Sequence, residues 1–250
     1  MRKFILFIIL FWFFSVNVLA QAFSRYKYEF YYGIGGTNLM ADVCAPSDAN
    51  KLAWVNLLNT IGFVGNTGLR YRLSEKQSAS VNLSLGKLHA EDPMDDPKYW
   101  AAGRATNTFF TEVSARYELM VVKEQKKKTV YRMLGESYFK NLSIPIYLFI
   151  GAGGLYNKGK FSRTFAENDS ISTTPYSNLS LIIPYGIGFK TRVTNTSYIN
   201  LEVGLRFAFS DRIDNWENGW YDQYQFITIN YIIKLKANKN GMPVIRTLFF

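Results

Sequence analysis

Few residues in this chain have the type and spacing to do chemistry. Its one histidine, His89, is followed closely by Glu91 and Asp92. A histidine–carboxylate pair becomes a hydrolytic centre only when a serine is aimed at the ring, and the spacing supplies none. One histidine and one cysteine, Cys44, cannot assemble a zinc site. Cys44 also has no partner for an intramolecular disulfide. It reads as a protected thiol in a loop, with pairing between chains as the alternative. Glu91, Asp92, Asp95 and Asp96 form an acidic cluster without the ligand spacing of a calcium loop. That cluster is a solvated loop or a place where cations bridge to lipopolysaccharide. Gly33-Ile34-Gly35-Gly36 follows no buried parallel strand and opens no helix, so it is not a phosphate loop. Glycines there let a sheet bend. The expectation is no catalytic residue, no metal and no cofactor.

The remaining chemistry is charge in a regular pattern. In Tyr198–Ser210, Ile199, Leu201, Val203, Leu205, Phe207 and Phe209 alternate with Asn200, Glu202, Gly204, Arg206, Ala208 and Ser210. Successive strand side chains point to opposite faces, so this is a strand with one apolar and one polar face. A segment around Phe109–Leu119 repeats the pattern, with Glu112, Arg116 and Glu118 on its polar side. Arg70 and Arg72, Lys190 and Arg192, and Lys27 occupy the polar phase of further segments. If the polar faces point inward, Glu112, Arg116, Glu118, Glu202, Arg206, Arg70, Arg72 and Lys190 share one narrow lumen and pair there. An unpaired buried charge would cost several kcal/mol, so a plugged interior is expected rather than a pore.

About eight such segments run along the chain. They are Tyr26–Asn38, Ile61–Leu73, Val81–Gly86, Phe109–Leu119, Ile144–Asn157, Leu181–Arg192, Tyr198–Ser210 and Gln225–Lys236. The register is expected to break near Lys87-Leu88, as at a bulge or strand end. A polar loop is expected over Lys158–Asn178, and another over Asp211–Tyr221. Ser74–Gln77 and Asn195-Thr196 are short turns. Eight alternating segments of about ten residues each predict an all-β fold, an eight-stranded antiparallel outer-membrane β-barrel. A soluble, lipocalin-like barrel is the alternative, with its apolar face turned inward.

The first residues set the compartment. Met1-Arg2-Lys3 precedes an apolar run to Val18, and Val18-Leu19-Ala20 has a cleavage pattern. Residues 1–20 are read as a secretory signal peptide, 21–236 as the barrel and 237–250 as a periplasmic tail. The expected location is the outer membrane of a Gram-negative-type envelope. With both termini in the periplasm, Trp54, Trp100, Trp216 and Trp220 fall in outward connections, where interfacial tryptophan is expected. The chain carries a net +10, two of those charges in the leader. For an exported protein this favours membrane surfaces, glycans or acidic protein partners over nucleic acid.

Tyr32-Gly33-Ile34-Gly35-Gly36-Thr37-Asn38, Gly68-Leu69-Arg70-Tyr71-Arg72, Leu85-Gly86-Lys87-Leu88 and Pro145–Gly153 recur in that order. Through them the chain resembles the PorG-like outer-membrane barrels of the type IX secretion system. The resemblance implies a non-enzymatic subunit that helps anchor or assemble that machinery. Its partners would be outer-membrane lipid and periplasmic ring components, with no nucleic acid and no small-molecule substrate. The basic connection Val121–Ser143 is longer than the short turn expected for that group. Lys126, Lys127, Lys128 and Arg132 there, with Phe249 and Phe250 of the tail, are the expected docking residues. The other readings are a stand-alone barrel for envelope integrity or adhesion, and a lipid-modifying barrel enzyme that would depend on His89.

Overall fold

The alternating segments each form a strand, and the last strand closes on the first. The computed structural model describes residues 27–40, 61–91, 104–122, 144–165, 170–194, 196–210, 212–214, 222–238 and 242–243. The strands are β1 Tyr28–Met40, β2 Ile61–Arg72, β3 Gln77–Glu91, β4 Arg104–Val122, β5 Ile146–Phe165, β6 Ser170–Arg192, β7 Ser197–Ala208 and β8 Gln223–Leu235. Each pairs antiparallel with its neighbours in sequence, and β1 pairs β8 from Tyr28↔Leu235 to Met40↔Gln223, so no edge is left open. Closure satisfies every strand's backbone within the wall, which is the condition for crossing a bilayer with strands. The expected leader at residues 1–20, Cys44, Trp54, Trp100, Trp216, Trp220, the acidic residues after Glu91, the basic residues 123–143 and Phe249 and Phe250 lie outside the described residues.

The outward face is apolar on all eight strands. Tyr32, Ile34, Phe63, Val81, Leu83, Leu85, Val113, Leu148, Ile150, Leu181, Ile199, Leu201, Ile227 and Ile229 all stand exposed. A soluble barrel would aim such residues inward and leave charge outside. Here Glu112, Arg116, Glu202 and Arg206 are buried and the aliphatic partners of their alternation face out. A continuous exposed apolar belt of this size is not tolerated in water. It meets lipid, and the protein is an outer-membrane barrel.

The two ends of the barrel differ. One carries the tight turns. At the first, Ser74 Oγ accepts from the amides of Lys76 and Gln77 at 3.2 and 3.1 Å. At the second, Thr194 Oγ1 accepts from the amide of Ser197 at 3.0 Å. A side-chain oxygen bonding the backbone two or three residues on holds a turn closed. The described chain also begins and ends here. After β8 it folds back, with Asn238 donating its amide to the Met242 carbonyl at 2.8 Å. Short turns mark the periplasmic end of an outer-membrane barrel, and we assign this end to it. The connections at 41–60 and 92–103 leave from the other end, whereas the long one at 123–143 leaves from this one.

Three expectations from the sequence change. No bulge interrupts Lys87-Leu88. β3 runs unbroken, pairing Lys87 with Phe63 on one side and Phe109 on the other. Leu88 and Ala90 continue the inward phase, and both are fully buried. The alternation of hydrophobicity fails there because the lumen itself turns apolar, while the alternation of direction continues. The polar loop expected over 158–178 is mostly strand. β5 and β6 have 20 and 23 residues, about twice what a bilayer needs, and they pair as far as Phe165↔Ser170. The outward face there carries Lys158, Lys160 and Ser162, and apart from Phe161 and Tyr176 the inward face is polar or glycine too, so the strand signal fades. Finally, Arg192, in the polar phase of its segment, is exposed at the end of β6 rather than turned into the lumen.

Val203 tests the belt. It faces outward midway along β7, between Ile187 and Ile227. Val203→Arg should lower barrel stability by about 2–4 kcal/mol, measured by urea unfolding in phospholipid vesicles. An unchanged midpoint would mean that Val203 does not face lipid.

Candidate functional site

The lumen is filled by its own side chains, as an eight-stranded circumference requires. Its periplasmic half is ionic. Arg70, from β2, lies between three strands. Its Nη1 is 3.0 Å from Glu29 on β1, its Nε is 2.5 Å from Glu118 on β4, and its Nη2 is 3.3 Å from the Tyr147 hydroxyl on β5. Lys190 on β6 shares Glu29 at 2.6 Å. Arg116 pairs with Glu202 across the barrel. The Tyr147 hydroxyl donates to Glu202 at 2.8 Å and accepts from Asn200 at 2.8 Å. Ser80 donates to Glu118 at 2.7 Å. Tyr147 therefore joins the two halves of one network.

A second group lies further out. Glu112 accepts from the Tyr224 hydroxyl at 2.9 Å and from Ser114 at 3.2 Å, and Arg206 Nε is 3.5 Å away. Arg206 also donates to the Gly204 carbonyl at 2.7 Å and sits over the Phe226 ring, its Cζ 3.8 Å from the centroid. Arg116 similarly covers Phe149 at 4.8 Å. Guanidinium stacked on a ring keeps its charge while presenting little polar surface to the apolar side. Four cations, Arg70, Arg116, Lys190 and Arg206, thus meet four carboxylates, Glu29, Glu112, Glu118 and Glu202, all buried.

Beyond Arg206 the lumen becomes apolar. Leu39, Val64, Leu88, Phe110, Leu155, Phe161, Ile182, Tyr224 and Phe226 pack into one cluster. Phe110 stacks on Phe226 with centroids 5.3 Å apart. Ile213, from the connection between β7 and β8, is pressed onto this cluster and fully buried. Its carbonyl accepts from the Tyr176 hydroxyl at 2.7 Å and from Thr108 at 3.3 Å, and its amide donates to Asp222 at 2.8 Å. The expected outward loop over 211–221 therefore sends a described piece, 212–214, down into the extracellular mouth.

Inward glycines create the room. A methyl group at Gly188 would fall 2.1 Å from the Tyr147 ring, and one at Gly68 would fall 2.4 Å from the Tyr31 hydroxyl. Tyr147 and Tyr31 occupy the space that those strands leave empty. These glycines admit aromatic side chains to the lumen, a role distinct from the bending expected of Gly33, Gly35 and Gly36.

Of the residues that the sequence placed in the lumen, Glu112, Arg116, Glu118, Glu202, Arg206, Arg70 and Lys190 come together there. Arg72 is half-buried at the periplasmic rim, outside the paired cluster. Two central members, Glu29 and Tyr147, are missing from the set that sequence reasoning selects. Both lie in the inward phase of their strands, and Glu29 offers the only carboxylate on β1, so phase is the available signal. His89 faces outward. Its Nδ1 is 3.0 Å from Asn107 Oδ1 and its Nε2 is 3.8 Å from Glu91, so an amide and a loose carboxylate stand where a nucleophile would be needed. Among the described residues no three His, Cys, Asp or Glu side chains gather as metal ligands.

The Arg116–Glu202 pair tests the network. Arg116→Met alone strands a buried carboxylate and should cost about 3–5 kcal/mol. Adding Glu202→Leu should recover most of that loss, because the charge left behind is removed with its partner. A double-mutant cycle by urea unfolding reads the coupling, and additive losses would contradict the pairing.

Several solved outer-membrane proteins are similar to this chain at low identity, while no curated protein matches the sequence. A major outer-membrane protein of Thermus thermophilus is similar at 11% identity, over 82% of this chain and 98% of that one, with a TM-score of 0.44. Ail, the attachment invasion locus protein of Yersinia pestis, is similar at 13% identity, over 84% and 100%, with a TM-score of 0.40. Neisserial surface protein A is similar at 9% identity, over 83% and 96%, with a TM-score of 0.39. The family model described as "Domain of unknown function (DUF6089)" matches residues 3–233, nearly the whole barrel included, and the chain belongs to that family.

Proposed function

We propose that this protein is a closed, non-enzymatic barrel that serves the outer membrane as a structural and surface component, in envelope integrity or adhesion. One observation carries the reading. The lumen is filled end to end, by ion pairs in the inner half and by aromatic and aliphatic side chains in the outer half. Such an interior holds a wall together and leaves no conduit. What the barrel offers other molecules is its outside: a lipid-facing belt and the paired extension of β5 and β6 above it.

Two measurements test this. Planar-bilayer recording of the purified barrel should show no large, steady conductance, and a stable porin-like current would contradict the packed lumen. The register also allows the extension to be shortened, since Phe161 pairs with Thr174. Replacing residues 162–173 by an Asn-Gly turn keeps Phe161 in the plug and should leave a folded, heat-modifiable barrel in the membrane. Cells carrying it should lose detergent resistance or surface attachment. Unchanged cells would remove the surface role.

The finer reading is the anchoring subunit of type IX secretion that the sequence resemblance implies. Its support is topological. β4 ends and β5 begins at the periplasmic end, so the connection that carries Lys126, Lys127, Lys128 and Arg132 leaves from the side where a periplasmic ring would dock. Neutralising Lys126, Lys127 and Lys128 together with deletion of Gly241–Phe250 should then leave the barrel inserted and abolish protein secretion. Intact secretion from a folded barrel would exclude this role and leave the envelope reading standing.

A further inference from the structure

The outward face is not uniform at its extracellular edge. The strand register sets Phe63, Lys87, Phe109 and Lys158 side by side on β2, β3, β4 and β5. One row closer to the membrane centre stand Leu85, Tyr156 and Leu179, part of the apolar belt. One row further out stand His89, Asn107 and Lys160. Lysine and phenylalanine therefore alternate on the line where the belt ends. Phe109 is 62% exposed between its two lysines. Strand spacing puts Lys87 and Lys158 about 10 Å apart at their backbones. Lys158 and Lys160 are exposed, Lys87 is half-exposed, and none of the three is in an ion pair among the described residues.

The patch is confined to one arc. At the same end, the outward residues of β2 are Ile61 and Phe63, those at the end of β7 are Phe207 and Phe209, and those at the start of β8 are Gln223 and Gln225. Among the described residues, only those of β3 and β5 place cations at this height on the lipid-facing side. At the periplasmic boundary such lysines would meet phospholipid headgroups. At this boundary they meet the outer leaflet, whose glycolipid carries its phosphates on the sugar ring just above the acyl chains.

We infer that Lys87, Lys158 and Lys160 form a binding site for the phosphate groups of outer-leaflet lipopolysaccharide, with Phe109 packed against the first carbons of its acyl chains. An ammonium on a flexible stem suits phosphate as a point charge. At the edge of a low-dielectric layer the attraction is screened less than in bulk water. Glu91, next to His89 on the far side of the site, sets its upper limit by repelling phosphate.

The inference deepens the envelope reading, and a purified-protein experiment separates the two. The folded barrel is embedded in nanodiscs and titrated with lipid A, with enzymatically dephosphorylated lipid A and with phosphatidylglycerol. Wild-type protein should bind lipid A and lose at least tenfold in affinity when the phosphates are removed. The Lys87→Gln, Lys158→Gln, Lys160→Gln triple variant should lose roughly tenfold or more, the scale of one charge-assisted contact. All three side chains face away from the lumen, so heat-modifiable migration should be unchanged. If the triple variant does not fold, the dephosphorylated lipid and the single Lys158→Gln variant still decide the matter. Equal affinity for the two forms of lipid A, equal binding by variant and wild type, or equal binding of phosphatidylglycerol would each overturn the site. A cellular detergent phenotype that persists with the site disproved would leave the structural role intact.

Discussion

An eight-stranded barrel has room inside only for its own side chains, and that constraint governs the rest of this molecule. Every inward residue must be packed, and every inward charge must be answered from another strand. Arg70 is answered by Glu29 and Glu118, Arg116 by Glu202, and Lys190 by Glu29 again. These partners lie far apart in sequence, so no single strand can satisfy itself. The ionic network is therefore a condition for closing the barrel in one register. A strand slipped by one residue would turn its charges to lipid and its aliphatic side chains to the lumen. Ion pairs buried in this way need not add net stability over an apolar core. Their contribution is to make the wrong registers far worse than the right one.

Crowding also explains the glycines. Tyr147 must reach the centre of the lumen, because its hydroxyl contacts Arg70, Asn200 and Glu202 at once. Its ring passes over β6 at Gly188. Phe149 similarly lies against Gly186 and Gly204, where an added methyl would come within 2.8 and 2.7 Å of its ring. Large and small inward residues on neighbouring strands are thus matched pairs. Replacing either member alone leaves a void or an overlap, both of which close-packed interiors penalise.

This pairing of phase and environment decides what can be read from the sequence. Within the bilayer the two faces differ in polarity, and the segments around Val81–Leu85, Phe109–Leu119 and Tyr198–Phe209 report strand, direction and interior charge directly. The pattern fails wherever that difference is reversed or lost. At Leu88 and Ala90 it inverts, because the outer lumen is a hydrophobic plug while Lys87, His89 and Glu91 stand on the outward face. Around Ser162 and Thr173 the outward face is polar and the inward one, Phe161 apart, is polar as well. The backbone continues as strand through each region, but composition no longer reports it. Glu29 and Tyr147 escape notice for a related reason. Phase alone puts them in the lumen, and their centrality depends on distances across the barrel that no local pattern carries.

The barrel that results is lopsided, and the asymmetry has a use. β3 to β6 run 15 to 23 residues, whereas β7, β8, β1 and β2 run 12 or 13. One side of the wall stands well above the other at the extracellular end. The low side supplies the segment at Ile213, which leans across the mouth. The high side receives it through Thr108 on β4 and Tyr176 on β6. The described piece of the short wall's connection, 212–214, is therefore hydrogen-bonded to the inner surface of the tall one. The outer face of that same tall wall carries Lys87 and Lys158 at the lipid boundary. Its inner surface closes the barrel and its outer surface meets the outer leaflet.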